Sequence, residues 1–241
     1  MKPRLCREEI EACFQELAVE SGRQSVIGFS PVERVRLLPE QRQYLETRLI
    51  SLRRSDGVTA TSIGLLYREE EIQAVPSVWT AKATDWGHWG IYATAYSVLN
   101  EQLGHIASEL AGRFGGVAEP ATLADWAGMV EHVTHYFPHC VSHRAYAERA
   151  GLGWRGRHGL LVTPEAGPAL RLATVFLPGR VEGSSSELAG CGDCHACLEV
   201  CPVLSVHDDY REACRRRITA LGLEQEVCGI CVRVCWEQVR R

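Results

Sequence analysis

The chain has 241 residues, a formal net charge of −4 and 46% hydrophobic residues. This length suffices for one ordinary domain with a small addition, and the apolar content predicts a packed core. The mild acidity argues against a general nucleic-acid-binding protein, which is usually basic. No leader-like segment is found, and no apolar run reaches the roughly 20 residues that span a bilayer. We therefore expect a cytoplasmic protein without membrane contact.

The first part of the chain predicts a mixture of helices and strands. Apolar residues at helical spacing between Leu5 and Leu17 predict an N-terminal helix. A strand is predicted at Ser25–Phe29, and Ser30-Pro31 is expected to open a helical stretch. A second strand is predicted at Val58–Tyr67, which is rich in residues that favour strands.

The middle of the chain contains the longest predicted helix, Ile91 to Phe114, which ends at Gly115-Gly116 as helices often do. Residues 85–90, which are rich in tryptophan and glycine, are predicted to form a loop before it. The remaining predicted elements are, in chain order, a helix over 123–136, a helix from Ser142 to the turn at Gly151, and strands over 160–163 and 169–177.

The composition changes abruptly after Gly183–Ser186, a segment typical of a linker. Before it lie the predicted helices and strands, and beyond it the chain is rich in cysteine and arginine. The sequence therefore predicts two domains, an α/β body over residues 1–185 and a cysteine-rich module over residues 186–241.

Eight of the eleven cysteines lie between residues 191 and 235, at the end of the chain. Such clustering in a chain of this size indicates metal binding rather than a disulfide framework. The first motif places Cys191, Cys194, Cys197 and Cys201 before Pro202, with the spacing C-x2-C-x2-C-x3-C-P. This spacing is that of bacterial ferredoxins, in which the fourth cysteine binds the other cluster of a pair.

A second motif, C-x2-C-x3-C, begins at Cys228, and Cys214 lies between the two motifs. Together they predict two neighbouring [4Fe–4S] clusters, because each motif lends one cysteine to the other cluster. The predicted first set is Cys191, Cys194, Cys197 and Cys235. The predicted second set is Cys201, Cys214, Cys228 and Cys231.

Structural zinc is the alternative, since it also uses paired C-x2-C units, although rarely a run of three cysteines followed by x3-C-P. The second motif also departs from the ferredoxin pattern, because Trp236 stands where a proline is usual. Arginines around Cys214 either offset cluster charge, bind an electron donor or form a solvated helix face; they are Arg211, Arg215, Arg216 and Arg217.

Upstream of the cysteines, the segment from Ser142 to Leu161 contains A-G-L-G-W-x-G-x-x-x-L-L. This segment, followed by the cysteine module, resembles epoxyqueuosine reductases, which are cobalamin-dependent and share their core with reductive dehalogenases. The resemblance implies a nitroreductase-like α/β (α+β) body and a ferredoxin-like double [4Fe–4S] module. It also implies cobalamin contacts from Ser142, His143, Gly151, Leu152, Gly153, Trp154, Gly156 and Arg157. An ordinary helix-to-strand glycine turn is the alternative for this segment.

The chemistry that the resemblance implies is reduction at a corrin cobalt. Electrons would arrive one at a time through the two clusters from a donor such as ferredoxin or flavodoxin, and the substrate would be small or nucleoside-like. A tyrosine donates the proton in reductive dehalogenases, which makes Tyr96 the candidate catalytic residue. Tyr92 and Tyr96 lie one helical turn apart, and packing of the helix on the sheet is the alternative for both.

Two differences from epoxyqueuosine reductases limit what the resemblance implies about function. The stretch from Tyr92 to Asn100 lacks the acidic residue that epoxyqueuosine reductases place there, and the sequence ends six residues after Cys235. Members of that family continue into helical sequence that engages tRNA, so tRNA is not expected as a partner. A second hypothesis is therefore an electron-transfer protein that reduces a corrinoid or flavin on another enzyme and has no substrate of its own.

Overall fold

The computed structural model describes residues 5–53, 55–77, 86–122, 126–183, 190–205, 209–222, 225 and 227–240. The described α-helices are α1 Arg7–Val19, α2 Pro39–Arg48, α3 Glu69–Gln73, α4 Trp86–Phe114, α5 Trp126–Met129, α6 His143–Arg149, α7 Ala196–Val200, α8 Tyr210–Leu221 and α9 Ile230–Val239. The described strands are β1 Ser25–Pro31, β2 Val58–Leu66, β3 Val117–Glu119, β4 Trp154–Arg155, β5 Leu161–Val162 and β6 Leu170–Pro178.

The main sheet is antiparallel, with the strand order β1-β2-β6-β3. Its register places Ile63 of β2 between Ile27 of β1 and Ala173 of β6. A small hairpin pairs Trp154 of β4 with Val162 of β5. The predicted mixed α/β fold is confirmed, and the antiparallel pairing makes it an α+β arrangement.

Helices cover both faces of this sheet because successive side chains of a strand point to opposite sides. On one face, Ala173, Val175 and Leu177 of β6 pack in the cluster that contains the buried residues of α1 and α4. On the other face, Phe176 packs against Tyr146 of α6, with their rings 5.4 Å apart. The central strands are therefore buried on both sides.

The cysteine-rich end of the chain shares the main hydrophobic cluster with the body. Ile230, Val232 and Trp236 of α9 belong to the same cluster as the buried residues of α4. The boundary predicted at residues 185 and 186 lies outside the described residues. Where it is described, the cysteine-rich segment is thus packed onto the body and α9 contributes to its core.

Several predicted elements are confirmed, including α1, β1, β2, the long helix and β6. The helical stretch expected from Ser30-Pro31 is wrong, because β1 continues to Pro31 and only a 3-10 turn, Val32–Arg34, follows before α2 begins. The strand ladder to β2 holds these residues extended, since Ser30 and Pro31 pair with Ala60 and Thr59.

The helix predicted over 123–136 is also wrong where the chain is described. Short helix α5 and a 3-10 stretch, Val133–His139, replace it, and the latter contains Pro138, which provides no backbone N–H for an α-helix. The loop predicted over 85–90 is wrong for residues 86–90, which form the first turn of α4. No helix in the described ranges is long and apolar enough to cross a membrane.

Candidate metal centre

All eleven cysteines are free thiols, and the eight of the C-terminal motifs are brought together by three helices. Helix α7 contains Cys197, α8 contains Cys214, and α9 contains Cys231 and Cys235. Helices α7 and α9 contact each other, which brings the two motifs side by side. The first motif starts in a turn where the Cys194 N–H donates to the Cys191 carbonyl over 3.0 Å.

The thiols of the first predicted set lie close enough to interact electrostatically; they belong to Cys191, Cys194, Cys197 and Cys235. Burial, followed by the neighbouring thiols of Cys197, Cys191 and Cys194, raises the pKa of the Cys235 thiol to about 12. Burial and then Cys191 and Cys194 likewise raise the pKa of Cys197. The last cysteine of the second motif is therefore close to the first three cysteines of the first motif.

The second predicted set shows the same grouping. Burial and then the Cys201 thiol raise the pKa of Cys214 to about 11. Burial, together with Cys214 and Cys201, raises the pKa of Cys228 to about 12. The pKa of Cys231 lies well above its usual value, first through burial, then through Cys228, Cys214 and Cys201, and last through Cys197 of the first set. Cys201 therefore lies within electrostatic reach of the other three members of the second predicted set.

This donor set fits a cationic iron–sulfur core. Four thiols gathered in one partly buried place repel one another once ionised, and only a bound cation or cluster favours their thiolate forms. Thiolates are also the ligands that hold [4Fe–4S] clusters. Within the described part of the chain, no three His, Cys, Asp or Glu side chains form a group close enough for a single metal ion.

The exposure of the eight cysteines is uneven. Cys194 of the first set is exposed, whereas Cys197 of the same set is buried. The four cysteines of the second set are all half-buried. The first set therefore reaches the protein surface at Cys194.

The long helix α4 holds the second motif in place. The indole Nε1 of Trp89, which is 1% exposed, donates to the carbonyl of Cys228 over 2.6 Å. Gly229 follows with a φ of +80°, and a Cβ at that position would lie 2.6 Å from the ring of Tyr92. Glycine is therefore required here both by its backbone conformation and by the contact with α4.

We predict that Gly229→Ala destabilises the fold by about 2 kcal/mol, because it combines a left-handed conformation with a ring collision. The free energy of unfolding in urea measures this effect, with Gly112→Ala as the matched control. Gly112 lies on α4 and an added Cβ there meets nothing within 4 Å. A Gly229→Ala variant as stable as the control would contradict the role of this contact.

Next to the second set, the body forms a cluster of tyrosines around Arg171. Tyr67 and Tyr92 are stacked, with ring centroids 4.9 Å apart. The guanidinium of Arg171 donates to the Tyr96 hydroxyl over 2.9 Å and lies 3.9 Å from the centroid of its ring. It also donates to Asn100 Oδ1 over 2.8 Å. Among the described residues, Arg171 has no carboxylate partner.

The predicted cobalamin segment makes contacts within the protein itself. Gly151, with a φ of +76°, ends α6, and its N–H donates to the backbone carbonyl of Glu148 over 3.1 Å. A Cβ on Gly153 would collide with the carbonyl of Val162, and one on Gly156 would lie 2.6 Å from the ring of His158. These glycines therefore allow the helix to end and the β4–β5 hairpin to pair closely.

The other members of the predicted cobalamin set are placed as follows. Ser142 precedes α6, and its carbonyl accepts from the N–H of Ala145 over 2.9 Å. Leu152 packs in the cluster formed by β6 and α6 residues. His143 is buried, with its Nδ1 2.9 Å from the Thr174 hydroxyl, and burial followed by the charge of Arg171 lowers its pKa to about 4.

Arg157 lies at the cysteine module, where its Nε and Nη2 donate to the carbonyls of Cys194 and Gly192 over 3.0 and 2.8 Å. The indole Nε1 of Trp154 is buried and has no acceptor in the described ranges. One open donor does not define a corrin site. No reaction step is therefore assigned to a cobalt. The cobalamin role of these eight residues stays a prediction.

Two clefts on the body have the size of small-molecule sites. One, of about 630 Å³, follows the outer side of α4 and is lined by Ile91, Thr94 and Val98. The other, of about 500 Å³, is lined by Tyr67 and Trp236. The second cleft reaches Tyr67, which stacks on Tyr92 beside the second cysteine set.

The arrangement defines a mixed α/β protein whose cysteine-rich end packs into its core. No family model matches the chain. Its sequence is similar to epoxyqueuosine reductases: it is 29% identical to that of Escherichia coli over 147 residues, which are 56% of this chain and 37% of the relative. It is 37% identical to that of Alicycliphilus denitrificans over 78 residues, which are 32% of this chain and 22% of the relative. The chain thus spans less than two fifths of each of these relatives.

Solved structures of epoxyqueuosine reductases share the fold. The structure from Bacillus subtilis has a TM-score of 0.51 at 18% identity, covering 94% of this chain and 65% of that chain. The structure from Streptococcus thermophilus has a TM-score of 0.50 at 20% identity, covering 86% of this chain and 56% of that chain.

The expectation that tRNA is not a partner is wrong. The relatives are named epoxyqueuosine reductases, and an enzyme of that name has been solved with an epoxyqueuosine-modified tRNA-Tyr stem loop. That structure has a TM-score of 0.42 at 19% identity and covers 81% of this chain and 53% of that chain. The expectation rested on where the sequence ends, which says nothing about what the described residues bind.

Proposed function

We propose that the chain is an iron–sulfur reductase of the epoxyqueuosine reductase type that passes electrons through two [4Fe–4S] clusters. The observation that supports this proposal most is that Cys235 lies within electrostatic reach of the thiols of the first motif, and Cys201 within reach of Cys228 in the second. The first cluster would be held by Cys191, Cys194, Cys197 and Cys235. The second would be held by Cys201, Cys214, Cys228 and Cys231. We further propose residues 1–185 and 186–241 as the body and the ferredoxin-like module.

The residues of the chain would bind and orient the clusters as follows. The Arg157 side chain donates to the backbone carbonyl of Cys194 and so orients the loop of the first motif. The backbone N–H of His158 donates to the Cys197 thiol. Hydrogen bonds to cluster sulfurs and solvent exposure are the features that set cluster potentials. Trp89 fixes the loop of Cys228 from the other side. When bound, the clusters supply one-electron transfer.

The residue proposed to move a proton is Tyr96. Its hydroxyl donates to the Thr122 carbonyl over 3.1 Å and accepts from Arg171 over 2.9 Å. The guanidinium would stabilise the tyrosinate that remains after proton release, because it lies next to the oxygen on which the charge develops. The side chain is 8% exposed, so the substrate would have to approach through the neighbouring cleft at Tyr67.

The two candidate functions differ in the group that accepts electrons from the clusters. The resemblance proposes a corrin cobalt as the acceptor and a small or nucleoside-like substrate, whereas the lack of an acidic residue between Tyr92 and Asn100 favours an acceptor on a partner protein. The test is titration of the anaerobic, cluster-loaded protein with cob(II)alamin, followed by EPR. A five-coordinate base-off cobalt signal is the result expected of a cobalamin-dependent reductase. A free-cobalamin spectrum beside intact cluster signals would support the electron-transfer function.

We predict that Tyr96→Phe lowers turnover of an epoxyqueuosine-modified tRNA stem loop by at least about 100-fold, because general acid catalysis contributes on this scale. Loss of one hydroxyl should change stability by only about 1 kcal/mol. The matched control is Tyr44→Phe, whose hydroxyl donates to Glu119 over 2.8 Å on another part of the body. Full turnover by Tyr96→Phe would remove this residue from the mechanism.

A further inference from the structure

The arginines of α8 and of the β4–β5 hairpin divide into two kinds. On α8, Arg215 is paired with Glu212 at 2.7 Å. Within the described ranges, Arg155, Arg157 and Arg211 form no ion pair with a carboxylate, and all three are exposed. The chain as a whole is acidic, with a net charge of −4. Exposed cations without carboxylate partners on an acidic protein form a local positive surface.

Contacts between the hairpin loop and α8 bring these arginines to one side of the molecule. A Cβ on Gly159, two residues after Arg157, would collide with the Tyr210 hydroxyl at the start of α8. The guanidinium of Arg211 lies 6.0 Å from the ring centroids of both Tyr210 and Phe137. The first turn of α8 therefore lies against the loop that carries Arg157.

Helix α6 adds a fourth arginine, since it packs against β4, which contains Arg155. Burial, followed by the positive charge of Arg155, lowers the pKa of Arg144, and the charge of Arg211 lowers it further, although Glu148 lies 3.6 Å away and opposes the shift. Arg144, Arg155 and Arg211 are thus within electrostatic reach of one another.

We propose that Arg144, Arg155, Arg157 and Arg211 form the docking surface for an acidic electron-transfer protein of the flavodoxin type. This inference rests on the proposed function, in which the clusters are present. In each step, the anionic flavin hydroquinone of the donor loses one electron and becomes the neutral semiquinone. One [4Fe–4S] cluster is reduced from the 2+ to the 1+ state, and no proton moves.

The position of the surface favours an electron donor over RNA. Arg157 donates directly to the carbonyl of Cys194, the exposed cysteine of the first set, so a protein docked there lies beside that cluster. The second set lies at Tyr92, on the side of Tyr96 and the proposed substrate cleft. Electrons would therefore enter at the first cluster and leave from the second, and RNA would bind elsewhere.

The test is anaerobic stopped-flow reduction of the cluster-loaded full chain by flavodoxin hydroquinone, at several ionic strengths. The variant is Arg155→Glu with Arg211→Glu, which leaves Arg157 in place at the cysteine loop. The control with the same kind of charge change is Arg113→Glu, on the last turn of α4. That residue lies about 30 Å along the helix from Tyr92, at a rise of 1.5 Å per residue.

The double variant is expected to be reduced at least tenfold more slowly at low salt and to lose the salt dependence of the wild type, because complementary charges mainly raise association rates. Dithionite should reduce all three proteins equally, which shows that the clusters are present. Unchanged reduction of the double variant by flavodoxin would overturn the proposal. Loss of binding to a tRNA stem loop without a change in flavodoxin rate would overturn it as well, in favour of an RNA surface. Absence of dithionite-reducible clusters would instead contradict the proposed function.

Discussion

Replacing Cys231 with alanine is expected to remove roughly half of the bound iron from the anaerobically reconstituted protein. Cys231 belongs to the second predicted set, and the thiols of Cys228, Cys214 and Cys201 all raise its pKa. Loss of one of four ligands in this buried place should prevent assembly of that cluster. The first cluster should persist, because its four proposed ligands do not include Cys231. In that first set, the thiols of Cys191 and Cys194 raise the pKa values of Cys197 and Cys235.

Iron and sulfide analysis, with EPR of the reduced protein, measures this outcome. The reciprocal variant is Cys194→Ala, which should remove the exposed first cluster and leave the second. Cys140→Ala is the matched control: Cys140 is a buried cysteine outside the motifs, and Gln41 donates to its sulfur over 3.7 Å. Full iron content in Cys231→Ala would show that this residue is not a ligand.

Replacing Arg171 with methionine is expected to lower the free energy of unfolding by about 2 kcal/mol. The substitution leaves Asn100 Oδ1 and the Thr122 carbonyl without the donors that the guanidinium provides at 2.8 and 2.9 Å. It also removes the contact with the Tyr96 ring. Removal of a partly buried charge offsets part of this loss, because the charge no longer has to be taken out of water.

Chemical unfolding in urea measures this difference in free energy. The stability of Arg171→Lys is expected to lie between that of the wild type and that of Arg171→Met, since one ammonium group does not reproduce the geometry of the guanidinium. Arg113→Met is the control, since its pair with Glu16 is exposed and surface pairs contribute up to about 1 kcal/mol. An Arg171→Met variant more stable than the wild type would mean that desolvation of the charge outweighs its hydrogen bonds.

The spacing of apolar residues predicted helices and strands correctly where the same residues are buried in the structure. The periodicity of α1 and the β-branched residues of β2 and β6 are matched by buried faces, so the elements form as predicted. Around Pro31, local sequence signals a helix start, but pairing with Thr59 in the sheet keeps the chain extended. Such long-range hydrogen bonds are decided by tertiary structure, which no local pattern contains.

The spacing of the two motifs predicts that Cys201 and Cys235 are exchanged between them, and this assignment stays a prediction. The spacing did not indicate which other residues contact the cysteine loops. Trp89 and Arg157 both lie in segments that the sequence singled out, but their partners in the cysteine loops are 139 and 37 positions away and could not be predicted from a local pattern. Arg171 was missed for the same reason, although a lone arginine in an otherwise apolar strand such as β6 is a usable signal for a buried polar network.

The measurement that tests the central claim most directly is Mössbauer spectroscopy of the protein reconstituted anaerobically with iron-57 and sulfide, together with quantification of iron, sulfide and zinc. Two [4Fe–4S]²⁺ clusters per chain are predicted, with about eight iron and eight sulfide ions and no stoichiometric zinc. A colourless protein that binds stoichiometric zinc and no sulfide under the same conditions would contradict the account and assign the cysteines to structural metal sites.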